Sequence, residues 1–234
     1  MGQITKKYGK NCSQIHRLED CLTTLYAWCC HNYPSLNPDK SDSVLFGTWQ
    51  HSHFFSDVTT VNVAGSVVPL ADHVKLLSVT FDSHLTKDKH VNEVSRTCFY
   101  HLCAWQHIQS AVTTSNANMI ACSVIGSRPD YANAVLYGVS LRKINRLQCI
   151  QNVLGHCVGN LEVHRNSNAL LQQLHWLPIH HRINFKLAKL AFLAHSSATS
   201  LCLNSAVAQY LPSCLLCSQD TCLLAVHRSK TVFG

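Results

Sequence analysis

The chain has 234 residues and a formal net charge of +7; 47% of its residues are hydrophobic and only 13% are charged. This composition excludes a wholly disordered chain, and the length allows one large domain or two small ones. The modest basic excess is compatible with a polyanionic partner and is weak support for one by itself.

Cysteine and histidine are abundant, at 13 and 16 residues. The first ten residues are polar and basic, and no apolar segment follows them, which does not match a secretory signal. Residues 97–127 and 190–219 lack Asp, Glu, Lys and Arg, but polar side chains interrupt both stretches. Buried amphipathic helices therefore explain them better than membrane spans. The sequence predicts an intracellular protein, cytoplasmic or nuclear, with reduced thiols and no membrane contact.

The first part of the chain predicts one helix and one strand. Residues 1–17 are polar and predict an irregular lead. Apolar residues at helical spacing predict a helix over 18–28, and the Asn-Tyr-Pro segment at 32–34 should end it. After a turn-rich connector, a short strand is expected at 43–46.

The next segments predict strands. Residues 58–63 and 66–70 are rich in β-branched side chains and flank Gly65, a pattern typical of a β-hairpin. Residues 74–81 predict one further strand.

From about Leu85 onward the spacing of apolar residues is helical. Predicted helices cover residues 86–112, 114–137, 140–158, 167–175 and 179–196. The segment around Pro129 is expected to kink or break the second of them. The predicted fold class is therefore α+β and mostly α, with short strands followed by helices. Because the chain begins within a sheet that it does not complete, a fragment is expected.

Four potential zinc ligands near the C-terminus follow the spacing C-x2-C-x4-C-x4-H: Cys214, Cys217, Cys222 and His227. Zinc requires such ligands in a tetrahedral arrangement. The segment has no glycine for a tight knuckle, and its cysteines lie among leucines, so buried or incidental cysteines are the favoured interpretation. The adjacent residues 29–31 (Cys-Cys-His) would point in different directions on a helix. No metal site is predicted, and zinc remains the less favoured alternative.

The 12 acidic residues are scattered along the chain. Two-metal catalysis needs carboxylates that converge on ions about 4 Å apart, and no segment offers such a group. The sequence therefore predicts no catalytic residues, no cofactor and no small-molecule substrate.

Basic residues cluster on two of the predicted helices. Either cluster could contact phosphates or form a solvated helix face, and the sequence leaves both alternatives open. The clusters consist of Arg142, Lys143 and Arg146 in one helix, and Arg182, Lys186 and Lys189 in the other.

Six segments carry a likeness to a known family. They are 36–47 (LNPDK, then VLFG), 74–79 (VKLLSV), 81–91 (FDSHLT, then HV), 127–138 (SRPDYAN, then LYG), 146–152 (RLQ, then QN) and 174–187 (LHWLPI, RI and FKL). In sequence and in order they resemble the C-terminal half of reverse transcriptases from non-LTR (LINE-type) retrotransposons. The resemblance covers roughly residues 18–234.

This resemblance implies a layout. After the lead at 1–17, residues 18–82 would be the end of the palm, 83–160 the helical thumb, and 161–234 a helical extension. The primer-grip strand would comprise Val74, Lys75, Leu76, Leu77, Ser78 and Val79. Lys40 would match a lysine thought to protonate pyrophosphate in the family, and Mg²⁺ is the cofactor of the intact enzyme.

The family's catalytic Asp-Asp pair should precede Leu18, where this chain has no aspartate. The resemblance thus implies a truncated remnant of an RNA-directed DNA polymerase that is inactive alone. The alternative is a non-catalytic module that binds nucleic acid weakly and nonspecifically. We also expect a labile first third and a protease-resistant core within about 84–195.

Departures from the family pattern are concentrated at arginine positions. Where relatives have arginines, this chain has Cys103, Gln106, His107 and Gln109. Cys, Gln and His are single-transition products of arginine codons that contain CG. The pattern predicts a decayed copy and explains the cysteine and histidine content without a metal.

Overall fold

The protein is described here from a computed structural model. The structure describes residues 2–32, 37, 40–52, 55, 57–63, 65–159, 166–196, 204, 205, 207, 224 and 225. Within these ranges it consists of helices and short antiparallel strands, which confirms the predicted α+β, mostly α class. Every helix in the described ranges is too short or too polar to cross a lipid bilayer.

The elements follow one another in the order helix, strands, helices. They are α1 (Gly2–His31), α2 (Trp49–Ser52), β1 (Thr60–Val63), β2 (Ser66–Pro69), β3 (His73–Leu76), β4 (Val79–Asp82), α3 (Asp88–Ile108), a 3-10 turn (Gln109–Ala111), α4 (Thr114–Ile120), a π-helix (Ala121–Gly126), α5 (Ser127–Asp130), a second 3-10 turn (Asn133–Leu136), α6 (Leu141–Gly159), α7 (Ser167–Gln173) and α8 (Ile179–Ser196).

Helix α1 begins much earlier than the sequence predicts. Residues 2–17 are helical rather than irregular, because no proline interrupts the chain between Gly2 and His31 and the helix continues through the polar segment. Its end is as predicted. The backbone N–H of Asn32 donates to the carbonyl of Trp28 at 3.1 Å, and the Asn32 side-chain amide donates to the same oxygen at 2.9 Å.

Strands β1 and β2 form the predicted hairpin. They pair antiparallel, with Val61 opposite Val68, and both valines are buried. Gly65 adopts a φ of +84° in the connection, a conformation that glycine reaches without a steric penalty. Asn62 Oδ1 accepts a hydrogen bond from the Gly65 N–H at 3.0 Å and supports this turn.

The predicted single strand at 74–81 is wrong, because it is a second hairpin. Strands β3 and β4 pair antiparallel, with Leu76 opposite Val79. Leu77 and Ser78 connect them with φ values of +45° and +65°, the positive values that a type I′ turn requires. Such turns usually contain Asn or Gly, so the sequence carried no signal for this one.

The predicted strand at 43–46 is also wrong. Ser43 forms a single parallel bridge to Leu70, and the residues after it have no regular structure. The Ser43 carbonyl accepts a hydrogen bond from the N–H of Ala71 at 2.8 Å, and its hydroxyl donates to the Pro69 carbonyl at 2.8 Å. This segment is therefore anchored to the end of β2 without extending the sheet.

The predicted helices are confirmed, with boundaries shifted by a few residues. The predicted break in the second helix is confirmed as well, because α4 passes into the π-helix and α5 ends at Asp130. Pro129 has no backbone N–H to donate, which favours an irregular helical turn before it. Ala132 then takes a left-handed conformation with φ of +50°.

The chain folds into two compact units, each with its own buried apolar residues. Unit 1 comprises residues 1–104 and 139–147, and unit 2 comprises 105–138 and 148–234. The buried apolar residues of unit 1 are Cys29, Val61, Val68, Val79, Val91, Cys98, Leu102, Ile144 and Leu147. Those of unit 2 include Trp105, Ala121, Ile125, Ile150, Leu154, Leu170, Leu171, Trp176, Ile179 and Ile183.

Limited proteolysis should cut α1 first. Leu18, Leu25 and Trp28 are 50%, 47% and 58% exposed, so packing stabilises this helix little. The hairpin β3–β4 is bound to α3, which extends the expected resistant core to residues 73–196. Mass spectrometry of the digest should first show the loss of residues 2–31. The core of residues 73–196 should then remain as the resistant fragment. A stable fragment that keeps α1 and is cut early within 90–150 would contradict the prediction.

Candidate functional site

A cleft in unit 1 lies between the β3–β4 hairpin and helix α3. Its volume is about 470 Å³, and we call it the basic cleft. Its lining consists of His73, Lys75, Thr80, Lys89, Asn92, Glu93 and Arg96. These residues include three permanent cations and one carboxylate, so the cleft carries a net positive charge.

The local structure explains why these side chains converge. His73 and Lys75 are two residues apart on β3 and therefore point to the same face of the hairpin. Lys89, Glu93 and Arg96 follow the spacing i, i+4 and i+7 on α3, which places them on one helix face. The cleft forms where these two faces meet.

Glu93 connects the helix to both strands of the hairpin. Lys75 Nζ donates a hydrogen bond to Glu93 Oε1, and Thr80 Oγ1 donates to Glu93 Oε2 at 2.6 Å. These two hydrogen bonds lower the pKa of Glu93, and the hydrogen bond from Lys75 has the larger effect. Glu93 is therefore ionised near neutral pH and neutralises Lys75, while Lys89 and Arg96 account for the remaining positive charge.

Lys89 Nζ lies 2.9 Å from His73 Nδ1. This contact is a hydrogen bond only when the imidazole nitrogen is unprotonated and accepts from the ammonium group. Both side chains are exposed, as is Arg96. An anion placed here would meet several donors at once, which is the arrangement that phosphate recognition uses.

His90 is buried next to Thr80, one of the residues that line the cleft. It is only 4% exposed, and its Nδ1 faces the N–H of Thr80 at 3.4 Å. Burial lowers the pKa of His90, Glu93 opposes that effect, and Lys87 and Lys75 reinforce it. His90 is therefore neutral near neutral pH and acts as a packing residue.

Asp82 holds the connection between β4 and α3. It accepts hydrogen bonds from the backbone N–H groups of Thr86 at 3.1 Å and Lys87 at 3.3 Å, and from the Thr86 hydroxyl. Although burial acts to raise it, these hydrogen bonds together lower the pKa of Asp82. Lys87 Nζ lies 4.0 Å from the centre of the Phe81 ring, a cation–π contact at the same connection.

The segment predicted to resemble a primer grip forms the second hairpin, with its tip in solvent. Leu76 and Leu77 are 60% and 81% exposed, whereas Val79 is buried. Lys75 is the member of this segment that lines the basic cleft.

The three residues of the first predicted basic cluster (Arg142, Lys143 and Arg146) differ in the groups that they contact. Lys143 Nζ lies 3.0 Å from Asp88 Oδ2 and donates to the Thr86 carbonyl at 2.5 Å, so its charge is used within unit 1. Arg146 Nη1 donates to Oδ1 of Asn92, which lines the basic cleft, and Arg146 is therefore close to that cleft. Arg142 is exposed.

The three residues of the second predicted cluster also differ in their contacts. Arg182 Nη1 lies 2.7 Å from Asp130 Oδ2, and its Nε donates to the Leu177 carbonyl at 2.5 Å. It is a structural residue of unit 2. Lys186 and Lys189 are exposed on α8.

Lys40 is exposed, and its N–H donates to the Asn37 carbonyl at 3.1 Å. Within the described part of the chain, no three His, Cys, Asp or Glu side chains are grouped to hold a metal ion. Cys29 is buried, while its neighbours at 30 and 31 are exposed. The proposed zinc ligands Cys214, Cys217, Cys222 and His227 lie outside the described residues.

Sequence reasoning missed His73, Lys89, Asn92 and Arg96. A signal was available, since charged residues alternate on one strand and recur at helical spacing on the following helix. The signal was obscured because Glu93 interrupts the basic residues and makes the helix face look like an ordinary solvated surface.

No family model matches the chain, and no solved structure matches it. The chain is 26% identical over 162 residues to Probable RNA-directed DNA polymerase from transposon BS of Drosophila melanogaster. The match covers 64% of this chain and 17% of that protein. The chain is thus similar to a transposon reverse transcriptase, and it spans a small part of that relative's length.

Acidification should destabilise the hairpin–helix junction. Because burial lowers the pKa of His90, the unfolded chain binds a proton below about pH 6.5 that the folded chain does not, so stability falls as pH falls. Asp82 and Glu93, whose pKa values are also lowered, act in the same direction at more acidic pH. Urea unfolding should show at most about 1.4 kcal/mol lost per pH unit from His90 alone.

The variant His90→Gln should flatten this dependence between about pH 5 and 6.5, a window set by the ordinary histidine pKa. His107→Gln is the matched control, because His107 is an exposed histidine of the same helix, and it should leave the profile unchanged. An unchanged slope in the His90 variant would contradict the assignment.

Proposed function

We propose that this chain is a reverse-transcriptase remnant that no longer polymerises by itself and that contacts the phosphate backbone of nucleic acid through the basic cleft. The observation that carries the proposal is the convergence of Lys89, Arg96 and Lys75 around a single carboxylate, with Arg146 close by. The similarity to an RNA-directed DNA polymerase supports nucleic acid as the polyanion. In this proposal residues 18–82 correspond to the end of a palm, 83–160 to a thumb and 161–234 to a helical extension.

The charge arrangement favours weak and nonspecific binding. Glu93 neutralises Lys75, which leaves Lys89, Arg96 and Arg146 as the groups available to phosphates. Phosphate contacts position a nucleic acid without reading its sequence. About three such contacts give a slope of roughly −3 in a plot of log affinity against log salt, and a dissociation constant of roughly 10⁻⁴–10⁻⁶ M at physiological salt.

We propose that the chain lacks polymerase activity because of the way its acidic residues are arranged. Phosphoryl transfer by polymerases uses two divalent metals held by convergent acidic residues. The sequence contains no two consecutive aspartates, and its strongest acid contacts serve other purposes: Glu93 binds Lys75, Asp88 binds Lys143 and Asp130 binds Arg182. Lys40, the position that resembles a proton donor to pyrophosphate, we assign to a solvent-exposed turn. We expect no Mg²⁺ requirement for this chain, which we place in the cytoplasm or nucleus.

Removing two cleft charges should weaken nucleic-acid binding. We expect the double variant Lys89→Ala and Arg96→Ala to lower affinity for duplex and single-stranded DNA at least tenfold and to reduce the salt slope by about 2. Electrophoretic mobility shifts across a salt series measure both quantities.

The matched control is Lys186→Ala with Lys189→Ala, which removes the same charge from α8. It should change binding little, and the charge-preserving Lys89→Arg should retain wild-type affinity. Loss of binding in the α8 variant with full binding in the cleft variant would transfer the interface to the other predicted cluster and refute the proposal.

Primer extension should give no product. The purified chain, incubated with a primed RNA or DNA template, nucleotides and either Mg²⁺ or Mn²⁺, is expected to leave the primer unextended, because the sequence contains no two consecutive aspartates to hold the metals. Addition of an active reverse transcriptase to the same mixture is the control for a competent template. Template-dependent synthesis by this chain alone would overturn this part of the proposal.

A further inference from the structure

Helix α3 carries an exposed aromatic side chain on the face that lines the basic cleft. Tyr100 follows Glu93 by seven residues and Arg96 by four, and these spacings place all three residues on one face of the helix. Tyr100 is 72% exposed. Because four residues of a helix rise by about 6 Å, Tyr100 lies about one turn beyond Arg96. An exposed aromatic ring therefore borders the cations of the cleft.

The β3–β4 hairpin runs alongside α3 in the same direction. At the start of β3, His73 contacts Lys89. Two residues later Lys75 contacts Glu93, which is four residues further along the helix. Two residues of a strand and four residues of a helix each advance by roughly 6 Å, so the two elements advance together. The hairpin tip, where Leu77 is 81% exposed, therefore extends toward the C-terminal half of α3 and its exposed tyrosine.

Cations beside an exposed aromatic ring are the combination that binds single-stranded nucleic acid. An unpaired base has a free π-face that can stack on an aromatic side chain, while the phosphates contact lysine and arginine. In an intact duplex the neighbouring base pairs cover these faces, so contacts of this kind are limited to the backbone. Tyr100 thus offers a contact that only an unpaired base can accept.

We propose that the basic cleft binds a single-stranded segment of nucleic acid, with an unpaired base stacked on Tyr100 and the phosphates held by Lys89 and Arg96. This inference rests on the proposed function and specifies the form of nucleic acid that the cleft takes. The exposed apolar surface of Leu77 borders the end of the cleft where the base is held. Because every base has a π-face, stacking adds affinity without sequence preference.

Removal of the Tyr100 ring should weaken binding of single strands alone. Tyr100→Ala is expected to lower the affinity for an oligothymidylate about fivefold or more, the lower end for one stacked base. Affinity for a relaxed, closed circular duplex should not change. The salt slope should not change for either probe, because stacking releases no counterions. Electrophoretic mobility shifts of the full chain across a salt series measure these quantities.

Two further variants separate the ring from other effects. Tyr100→Phe keeps the ring and should bind oligothymidylate as the wild type does. Phe99→Ala is the matched control, because it removes an exposed ring that lies about 100° around the same helix, and it should also retain binding. Circular dichroism checks the fold of each variant. Equal losses in the Phe and Ala variants of Tyr100 would assign the contact to the hydroxyl group and overturn the stacking inference.

Photochemical cross-linking locates the stacked base directly. Irradiation of the full chain with an oligothymidylate that carries one 5-iodouracil should give a cross-link that mass spectrometry assigns to Tyr100. Cross-links confined to other residues would overturn the inference.

The two proposals fail in different ways. Wild-type affinity of Tyr100→Ala for oligothymidylate, or equal losses on oligothymidylate and circular duplex, would overturn the single-strand inference alone. The proposed function would still stand if the variant Lys89→Ala with Arg96→Ala weakened binding of both probes. Unchanged binding in that double variant would refute the proposed function itself.

Discussion

The carboxylate of Glu93 is the group on which the arrangement of unit 1 depends. It is bound by Lys75 of β3 and Thr80 of β4 while it belongs to α3, so a single side chain joins the helix to both strands of the hairpin. It also neutralises one of the three cations that this packing brings together. Without it, three positive charges would meet at an exposed surface with no acidic partner, and their mutual repulsion, although screened by solvent, would oppose the packing that forms the cleft.

The acidic partners divide the basic residues of this chain into two groups. Lys143 and Arg182 are bound by Asp88 and Asp130, and their side chains are 21% and 19% exposed, so they stabilise the fold. Lys89 and Arg96 keep their charge at an exposed surface. The two groups cannot be separated by position along a helix, because the acid that neutralises each cation comes from a distant part of the chain.

Helix α3 separates exposed polar positions from a buried apolar face. The positions at which the family resemblance predicts arginine carry Cys103, Gln106 and His107, and all three are exposed. Leu102 and Trp105, which alternate with them, are 4% and 2% exposed. In the decayed copy that we propose, loss of positive charge at exposed positions reduces the attraction to phosphates and leaves the buried face intact. A weak nucleic-acid contact on a retained fold is consistent with this pattern.

The sequence by itself determined the local elements: helical spacing located the helices from α3 to α8, Gly65 marked the first hairpin, and Pro129 marked the break before α6. These signals are local, because they depend on side-chain period and on the backbone freedom of one residue. Tertiary structure alone decided the turn at residues 77 and 78, where the pairing of β3 with β4 imposes positive φ on residues that do not favour it. It alone also decided the basic cleft, because charge neutralisation there depends on contacts between strand and helix that no single segment encodes.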